Sequence, residues 1–216
     1  IEVAETPFFS RSVSEFVLNK PRTEYTIYPD IIWNYEALKN NVQAEPVSVA
    51  VKVEMNGDDL GQRVRTFSVR SINECLLGYV ANGTKFYDTS IFFAAYVNEE
   101  NPMIDQLLRE ALNTRIVNRF LGYQSQAKGV VDKQVYALWN ILQKRKFPYS
   151  SVSNPSLSSN VVFSQRVRTF DDALDSSQIN CVDGSVLFAS LLRSINIDPI
   201  LVRTPGHMFV GYYTDN

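Results

Sequence analysis

The chain has 216 residues, of which 45% are hydrophobic and 20% charged, and its formal net charge is −2 at pH 7. This composition is typical of one large or two small folded domains and excludes a chain that is disordered as a whole. The slight negative charge argues against a nucleic-acid-binding protein, which usually carries a basic face. Because no run of about 18 apolar residues occurs, no transmembrane helix is predicted.

The first hundred residues predict a β-rich domain. Four segments have the composition and spacing of antiparallel strands: Ser48–Met55, Arg63–Arg70, Cys75–Ala81 and Ser90–Val97. Asn56-Gly57, between the first two, is a turn signal. We therefore expect a sandwich-like β domain over residues 1–98.

After residue 98 the apolar spacing becomes helical. Asn101-Pro102 is a helix-start signal, and the pattern predicts a helix to about Phe120. A second helix is predicted over Val130–Lys144. The Ser-, Asn- and Pro-rich tract Ser150–Asn160 predicts a polar loop, which often flanks a binding site and is as often merely solvated. We expect an α+β domain over residues 99–216.

A third predicted helix begins in the segment Asn180-Cys181-Val182-Asp183-Gly184. Asn180 is a favoured N-cap, and Asp183 lies in the first turn, where the helix dipole favours negative charge. The following residues are apolar around nearly the whole circumference, which is typical of a buried central helix. Cys181 is therefore expected at the positive end of a core helix, a position that stabilises a thiolate. The alternative is a small buried hydrophobic residue, the usual role of a free cysteine.

His207 is the one histidine of the chain. It follows the turn dipeptide Pro205-Gly206, between strands predicted over Pro199–Val202 and Met208–Tyr213. Because sequential elements usually pack as neighbours, His207 is expected near the helix that begins with Cys181. A thiol and an imidazole brought together form a nucleophile and its base.

The other cysteine, Cys75, lies in a predicted strand and is interpreted as a buried structural thiol. A disulfide with Cys181 is the alternative, and it would disable the nucleophile. One histidine and two cysteines are too few for a zinc site of the usual kind or for a disulfide framework. The chain has no P-loop or GxGxxG motif, so we expect neither a metal nor a cofactor.

Three motifs follow one another in the C-terminal half: Cys-x-Asp-Gly-Ser from Cys181, Leu-Phe-Ala-Ser-Leu-Leu-Arg from Leu187, and Pro-Gly-His-Met-Phe-Val-Gly from Pro205. In this order the motifs resemble the core of the transglutaminase-like superfamily, a group of papain-related cysteine enzymes. The resemblance covers about residues 161–213. It implies a transglutaminase-like α+β fold in which Cys181 is the nucleophile and His207 the general base and acid.

The resemblance also implies an oxyanion hole, for which the backbone N–H of Cys181 and the side chain of Gln165 are candidates. A solvated strand residue is the alternative for Gln165. Members of the family orient the histidine with an Asp or Asn on a following strand. Asp215 is the one acidic residue after His207, and an extended chain of that length spans about 26 Å, so Asp215 is expected to be out of reach.

We expect a cysteine-dependent hydrolase or acyltransferase, a transglutaminase-like cysteine protease or amidohydrolase, acting on a peptide or protein substrate. The alternative is a non-catalytic binding or scaffold module in which Cys181 and His207 are relics, a reading that the missing orienting acid favours. The start at Ile1 rather than Met suggests a processed protein, so a secreted or periplasmic bacterial location is expected; a trimmed chain would begin in the same way.

Overall fold

The structure is a computed structural model that describes residues 1–125, 127–150, 157–175 and 178–215. Within this part of the chain the protein is mixed α+β, as predicted, with several small sheets. Its contacts form two compact units, one of Ile1–Ile72 with residues 157 and 158, and one of the other described residues from Asn73 onward. The predicted polar loop Ser150–Asn160 lies mostly outside the described residues.

The first unit is built on a long β-hairpin. Its elements are β1 (Glu2–Val3), β2 (Phe9–Ser10), β3 (Ser12–Val13), β4 (Ile32–Trp33), α1 (Tyr35–Asn40), β5 (Glu45–Met55) and β6 (Asp58–Val69). Asn56 and Gly57 join β5 to β6 with φ values of 54° and 90°, because a two-residue turn with positive φ matches the twist of paired strands. The sheet order is β3-β1-β5-β6, and β2 pairs with β4. Val3, Phe8, Phe9 and Val47 form the core of this unit.

The second unit combines a three-stranded sheet, a two-stranded hairpin and α-helices. Its described elements are β7 (Glu74–Ala81), β8 (Lys85–Asp88), a 3₁₀ helix (Ser90–Tyr96), α2 (Pro102–Asn113), α3 (Val130–Arg145), β9 (Val162–Arg166), α4 (Phe170–Asp175), α5 (Cys181–Ser194), β10 (Pro199–Thr204) and β11 (His207–Tyr212). The sheet orders are β8-β7-β9 and β10-β11. None of the helices in the described ranges is long and apolar enough to cross a lipid bilayer.

The pairing of β7 with β9 joins segments that are far apart in sequence. Cys75 in β7 lies opposite Gln165 in β9, and β8 continues the sheet on the other side of β7. Both β7 and β8 therefore group with the second compact unit. The change of apolar spacing near residue 98, on which the predicted domain boundary was based, lies inside that unit.

The segment Ser90–Val97, predicted as a strand, forms a 3₁₀ helix over Ser90–Tyr96 instead. Thr89, the residue after β8, is the last one bonded to β7: its N–H donates to the Leu77 carbonyl at 3.0 Å and its hydroxyl to the Leu76 carbonyl at 2.9 Å. The chain after Thr89 turns away from the ladder. Its apolar residues are consecutive, so they lack the alternation that marks a half-buried strand.

Helix α2 begins where predicted but ends at Asn113, well before the predicted end near Phe120. The Thr114 hydroxyl donates to the Ala111 carbonyl at 2.6 Å, and Arg115 has a φ of 60°. A left-handed residue stops helical hydrogen bonding, and side-chain bonding to a last-turn carbonyl satisfies one of the groups left open. Helix α3, by contrast, matches its prediction closely.

Helix α5 is the central element of the second unit, as its sequence predicts. It packs against β10 and β11 and contacts α2, α3 and α4. Its large apolar side chains Val186, Leu187, Leu191 and Leu192 are each at most 1% exposed. Because the apolar residues surround the helix, burial on several sides fixes its position and that of its first residue.

Candidate functional site

The site is built on the N-terminus of α5, where Cys181 is the first helical residue. The Asn180 side chain accepts the N–H groups of Val182 and Asp183 at 2.8 and 2.9 Å, and the Asp183 carboxylate accepts the N–H of Asn180 at 3.0 Å. This reciprocal pattern is a capping box. It confirms the predicted N-cap and holds the backbone at Cys181 in one conformation.

Asp183 also ties the helix to the segment that follows β9. Its Oδ1 accepts the backbone N–H of Arg168 at 2.9 Å, and its Oδ2 pairs with the Arg168 guanidinium at 2.6 Å. The Asp183 side chain is 1% exposed and that of Arg168 18%. Because several donors hydrogen-bond to this buried carboxylate, its loss of hydration is compensated. The first turn of α5 is therefore anchored to its neighbours through Asp183.

Cys181 and His207 line the same pocket, whose volume is about 620 Å³. Cys181 is half-buried, and His207 is exposed at the first position of β11, opposite Thr204. The other residues that line the pocket come from α3, the segment after it, the chain before α5, α5 itself and β11: Trp139, Leu142, Gln143, Lys146, Phe147, Tyr149, Ile179, Asn180, Gly184, Ser185, Leu187, Phe188, Met208, Phe209 and Val210. Within the part of the chain that the structure describes, no hydrogen bond joins the Cys181 thiol to the His207 ring.

Tyr149 is a residue of this site that the sequence did not reveal. It forms a parallel bridge with Ile179. The Ile179 N–H donates to the Pro148 carbonyl at 3.3 Å, and the Ser150 N–H donates to the Ile179 carbonyl at 3.0 Å. These two bonds hold Tyr149 beside the residue that lies two positions before Cys181. No local pattern predicts such a pairing, because its partners are thirty residues apart.

The Tyr149 phenol lies against Cys181. Its pKa is raised, first because the negative charge of a Cys181 thiolate opposes a second negative charge, and then because the phenol hydrogen-bonds to the Cys181 side chain. The backbone N–H of Cys181, which favours a negative phenol oxygen, opposes this rise of the pKa. Tyr149 is thus a protonated hydrogen-bond donor next to the thiol.

Gln165, the candidate for the oxyanion hole, lies elsewhere. It is half-buried in β9, opposite Cys75, and its side-chain amide donates to the Arg166 carbonyl at 3.3 Å. It is not among the residues that line the pocket of Cys181. The structure therefore brings Tyr149, rather than Gln165, to the thiol.

Asp215 lies beyond the end of β11 that is opposite to His207. In the hairpin, His207 pairs with Thr204 at one end and Tyr212 pairs with Pro199 at the other. The Asp215 carboxylate accepts the Thr214 hydroxyl at 3.5 Å. Among the described residues, no carboxylate is hydrogen-bonded to the His207 ring.

Cys75 is a buried thiol, as predicted. It is 1% exposed, and burial raises its pKa to about 11 because a thiolate is poorly solvated there. Both cysteines are free, so the alternative of a disulfide between Cys75 and Cys181 is excluded. The thiol that is partly open to solvent is that of Cys181.

A larger cavity of about 1010 Å³ lies elsewhere in the second unit. Its lining does not include Cys181 or His207. Two of its arginines are paired, Arg203 with Asp88 at 2.8 Å and Arg193 with Glu99 at 2.6 Å. The chemistry-bearing side chains are therefore in the smaller pocket, although the larger cavity has more room.

The smaller pocket combines a thiol at a helix N-terminus, an imidazole, a protonated phenol and a backbone N–H group. Such a set can attack a carbonyl carbon and stabilise the negative charge that develops on its oxygen. No group of three or more His, Cys, Asp or Glu side chains in the described ranges is arranged to hold a metal ion. No protein-family model, no curated protein and no solved structure matches the chain.

Proposed function

We propose that this protein is a cysteine-dependent hydrolase or acyltransferase that acts on a peptide or amide through an acyl-enzyme. One observation carries the proposal: Cys181, at the start of a buried helix, and His207, at the start of a neighbouring strand, line one solvent-open pocket. The same order of helix, hairpin and histidine supports membership of the transglutaminase-like superfamily for the second unit.

In the proposed reaction His207 takes the proton of the Cys181 thiol, and the thiolate attacks the substrate carbonyl carbon. A C–S bond forms, and the carbonyl oxygen becomes an oxyanion. Collapse of this intermediate breaks the C–N bond, and His207 returns the proton to the leaving amine. Water or a second amine then attacks the thioester, which yields an acid or a new amide and restores the thiol.

The backbone N–H of Cys181 and the Tyr149 phenol are the proposed donors to the oxyanion. The helix cap uses the N–H groups of Val182 and Asp183 and leaves the N–H of Cys181 for a ligand in the pocket beside Tyr149. A substrate oxygen bound between them would accept from both groups. Donors aimed at the position where charge develops are among the largest contributors to catalysis.

The absence of a direct bond between Cys181 and His207 in the described contacts is compatible with this reaction. Catalytic hydrogen bonds are often long before substrate binds and tighten in the complex. The exposed position of His207 at the end of the hairpin leaves its ring free to rotate toward the thiol.

A second candidate function is a non-catalytic binding or scaffold module. The observation that favours it is the lack, among the described contacts, of a carboxylate that orients the His207 ring. In that case the pocket would bind a ligand without covalent chemistry. The reactivity of Cys181 distinguishes the two functions.

The deciding experiment is alkylation by iodoacetamide as a function of pH, followed at each cysteine by mass spectrometry. An activated Cys181 is labelled well below pH 8, and His207→Ala slows its labelling. Tyr136→Ala, at an exposed position outside the pocket, is the control and leaves the rate unchanged. If Cys181 reacts like an ordinary thiol, or equally fast without His207, the enzymatic function is refuted and the binding module remains.

A further inference from the structure

The pocket beside Cys181 is largely apolar, a property that acyl transfer by itself does not require. The rings of Trp139 and Phe188 form an edge-to-face pair with centroids 6.0 Å apart and planes at 79°. Leu187 and Met208 contribute buried side chains, at 1% and 3% exposure. Phe209, on β11, adds a third aromatic ring to the lining. The wall next to the thiol is thus made of aromatic and aliphatic groups.

Two of these aromatic rings are open to solvent. Trp139 is 51% exposed and Phe209 46%, and both lie in the same pocket as the nucleophile. Open aromatic surface in a concave site gains free energy when an apolar ligand covers it. The pocket volume of about 620 Å³ lies in the range of small-molecule and side-chain sites, roughly 300–1,000 Å³.

The charges of the pocket disfavour a cationic ligand. Among the described residues its lining contains no Asp or Glu, and apart from His207 the one basic side chain among them is Lys146, which is exposed. The nearest carboxylate along α5, that of Asp183, is already engaged by Arg168 and Asn180. A cationic substrate group would therefore lose its hydration without gaining a counter-charge.

We infer that this pocket is a subsite for a large apolar, preferably aromatic, side chain on the acyl half of the substrate. The acyl half is assigned because it stays bonded to Cys181 in the thioester, so a subsite beside the thiol holds it after the amine has left. That the ligand is a substrate rests on the proposed function, whereas its apolar character follows from the pocket alone.

A binding experiment tests the ligand class without catalysis. The chain has two tryptophans, so the variant Trp33→Phe/Cys181→Ala leaves Trp139 as the fluorescent reporter. N-acetyl-phenylalaninamide is titrated in parallel with N-acetyl-alaninamide, N-acetyl-lysinamide and N-acetyl-glutamic acid amide. We expect a saturable change in Trp139 emission, with the phenylalanine amide binding at least about tenfold more tightly than the others. Equal affinities, or a preference for the lysine amide, overturn the inference.

A pocket-filling variant tests the location. Gly184 lies one turn after Cys181 and lines the pocket, and a Cβ there would meet only the Ile179 Cδ1, at 3.4 Å. Gly184→Leu in the same background is expected to abolish binding of the phenylalanine amide. Because Trp139 is half-exposed, Trp139→Ala followed by calorimetry gives a second variant if Gly184→Leu does not fold. Tyr136→Ala, on the same helix and 54% exposed outside the pocket, is the control that retains binding.

Failure of this inference and failure of the proposed function are separate results. If Cys181 is labelled as an activated thiol but the amides bind with equal affinity, the apolar subsite is refuted and the proposed enzymatic function stands. Ordinary labelling of Cys181 together with selective, Gly184-dependent binding of the phenylalanine amide supports the ligand class and assigns the pocket to a binding module.

Discussion

The phenol of Tyr149 lies beside Cys181, the first residue of helix α5, in the pocket that both residues line. A single backbone bridge, between Tyr149 and Ile179, brings the two residues together. The contact sets the thiol and its backbone N–H beside a phenol whose pKa is raised. In a cysteine enzyme this is the position from which an oxyanion can be stabilised.

Tyr149→Phe is therefore expected to slow acylation while the thiol stays reactive. Loss of one oxyanion donor typically lowers the rate about 10²- to 10³-fold, so the burst of p-nitrophenol from p-nitrophenyl acetate should slow by an amount in that range. Alkylation by iodoacetamide forms no oxyanion, and we expect its rate to change by less than about threefold.

Gln165→Ala is the comparison variant for Tyr149→Phe. Because Gln165 is not among the residues that line the pocket, its removal is expected to leave the burst rate unchanged. A burst that slows in Gln165→Ala and not in Tyr149→Phe would reverse the assignment of the donor. Equal slowing of the burst and of alkylation in Tyr149→Phe would show that the phenol acts on the thiol and not on the oxyanion.

Cys75 is expected to make the stability of the protein depend on alkaline pH. Burial raises its pKa from 9.0 to about 11, so the folded state retains the proton that the unfolded state loses. The stabilisation from this group is present in full below pH 9 and is lost as the pH rises from about 9 to about 11. Urea unfolding at pH 8 and pH 10.5 should show a smaller loss of stability in Cys75→Ala than in the unmodified protein; an identical loss contradicts the assignment.

Asp183→Ala is expected to reduce the free energy of unfolding by about 3–5 kcal/mol, the usual effect of removing one partner of a buried ion pair. The carboxylate accepts hydrogen bonds from Arg168 and Asn180, and the capping box is lost with it. Glu99→Ala is the control, because the pair of Glu99 with Arg193 is largely exposed and should contribute at most about 1 kcal/mol. Urea denaturation followed by circular dichroism measures both, and similar losses in the two variants would count against a special role for Asp183.

Gln134→Leu is expected to destabilise the loop before α3. The buried Gln134 side chain accepts the N–H groups of Leu121 and Gly122 at 2.6 and 3.0 Å and donates to the Gly122 carbonyl at 3.1 Å. Leucine has a similar size but leaves these backbone groups unbonded, at a cost of about 1–3 kcal/mol each. Thermal unfolding and amide hydrogen exchange at residues 121 and 122 measure the effect. The exposed Gln124→Leu should change neither, and a Gln134→Leu variant as stable as its parent would refute the role.

The elements that carry the candidate site could be predicted from local sequence. The N-cap at Asn180, the start of α5 at Cys181 and the hairpin that begins β11 at His207 depend on residues within one helical turn or one tight turn. Their stabilising contacts are close in the chain, so a short segment contains the necessary information. The prediction that Cys181 and His207 lie near each other used only the rule that consecutive elements pack together.

Local sequence is least informative where distant contacts decide the local structure. Ser90–Val97 has strand-like composition, yet the bonds of Thr89 to β7 redirect the chain into a 3₁₀ helix. The resemblance suggested Gln165 for the oxyanion hole, but its pairing opposite Cys75 places it outside the pocket lining. In both cases a partner far away in sequence determines the outcome.

By itself, the sequence determined the α+β class, the capped core helix with its leading cysteine and the strand that begins with the histidine, because capping, turn and periodicity preferences act between near neighbours. Only the tertiary structure decided that Tyr149 reaches the thiol, that Gln165 does not line its pocket, and that an apolar pocket adjoins the nucleophile. These features arise from pairing and burial across the whole unit, where many small apolar contacts outweigh local preference.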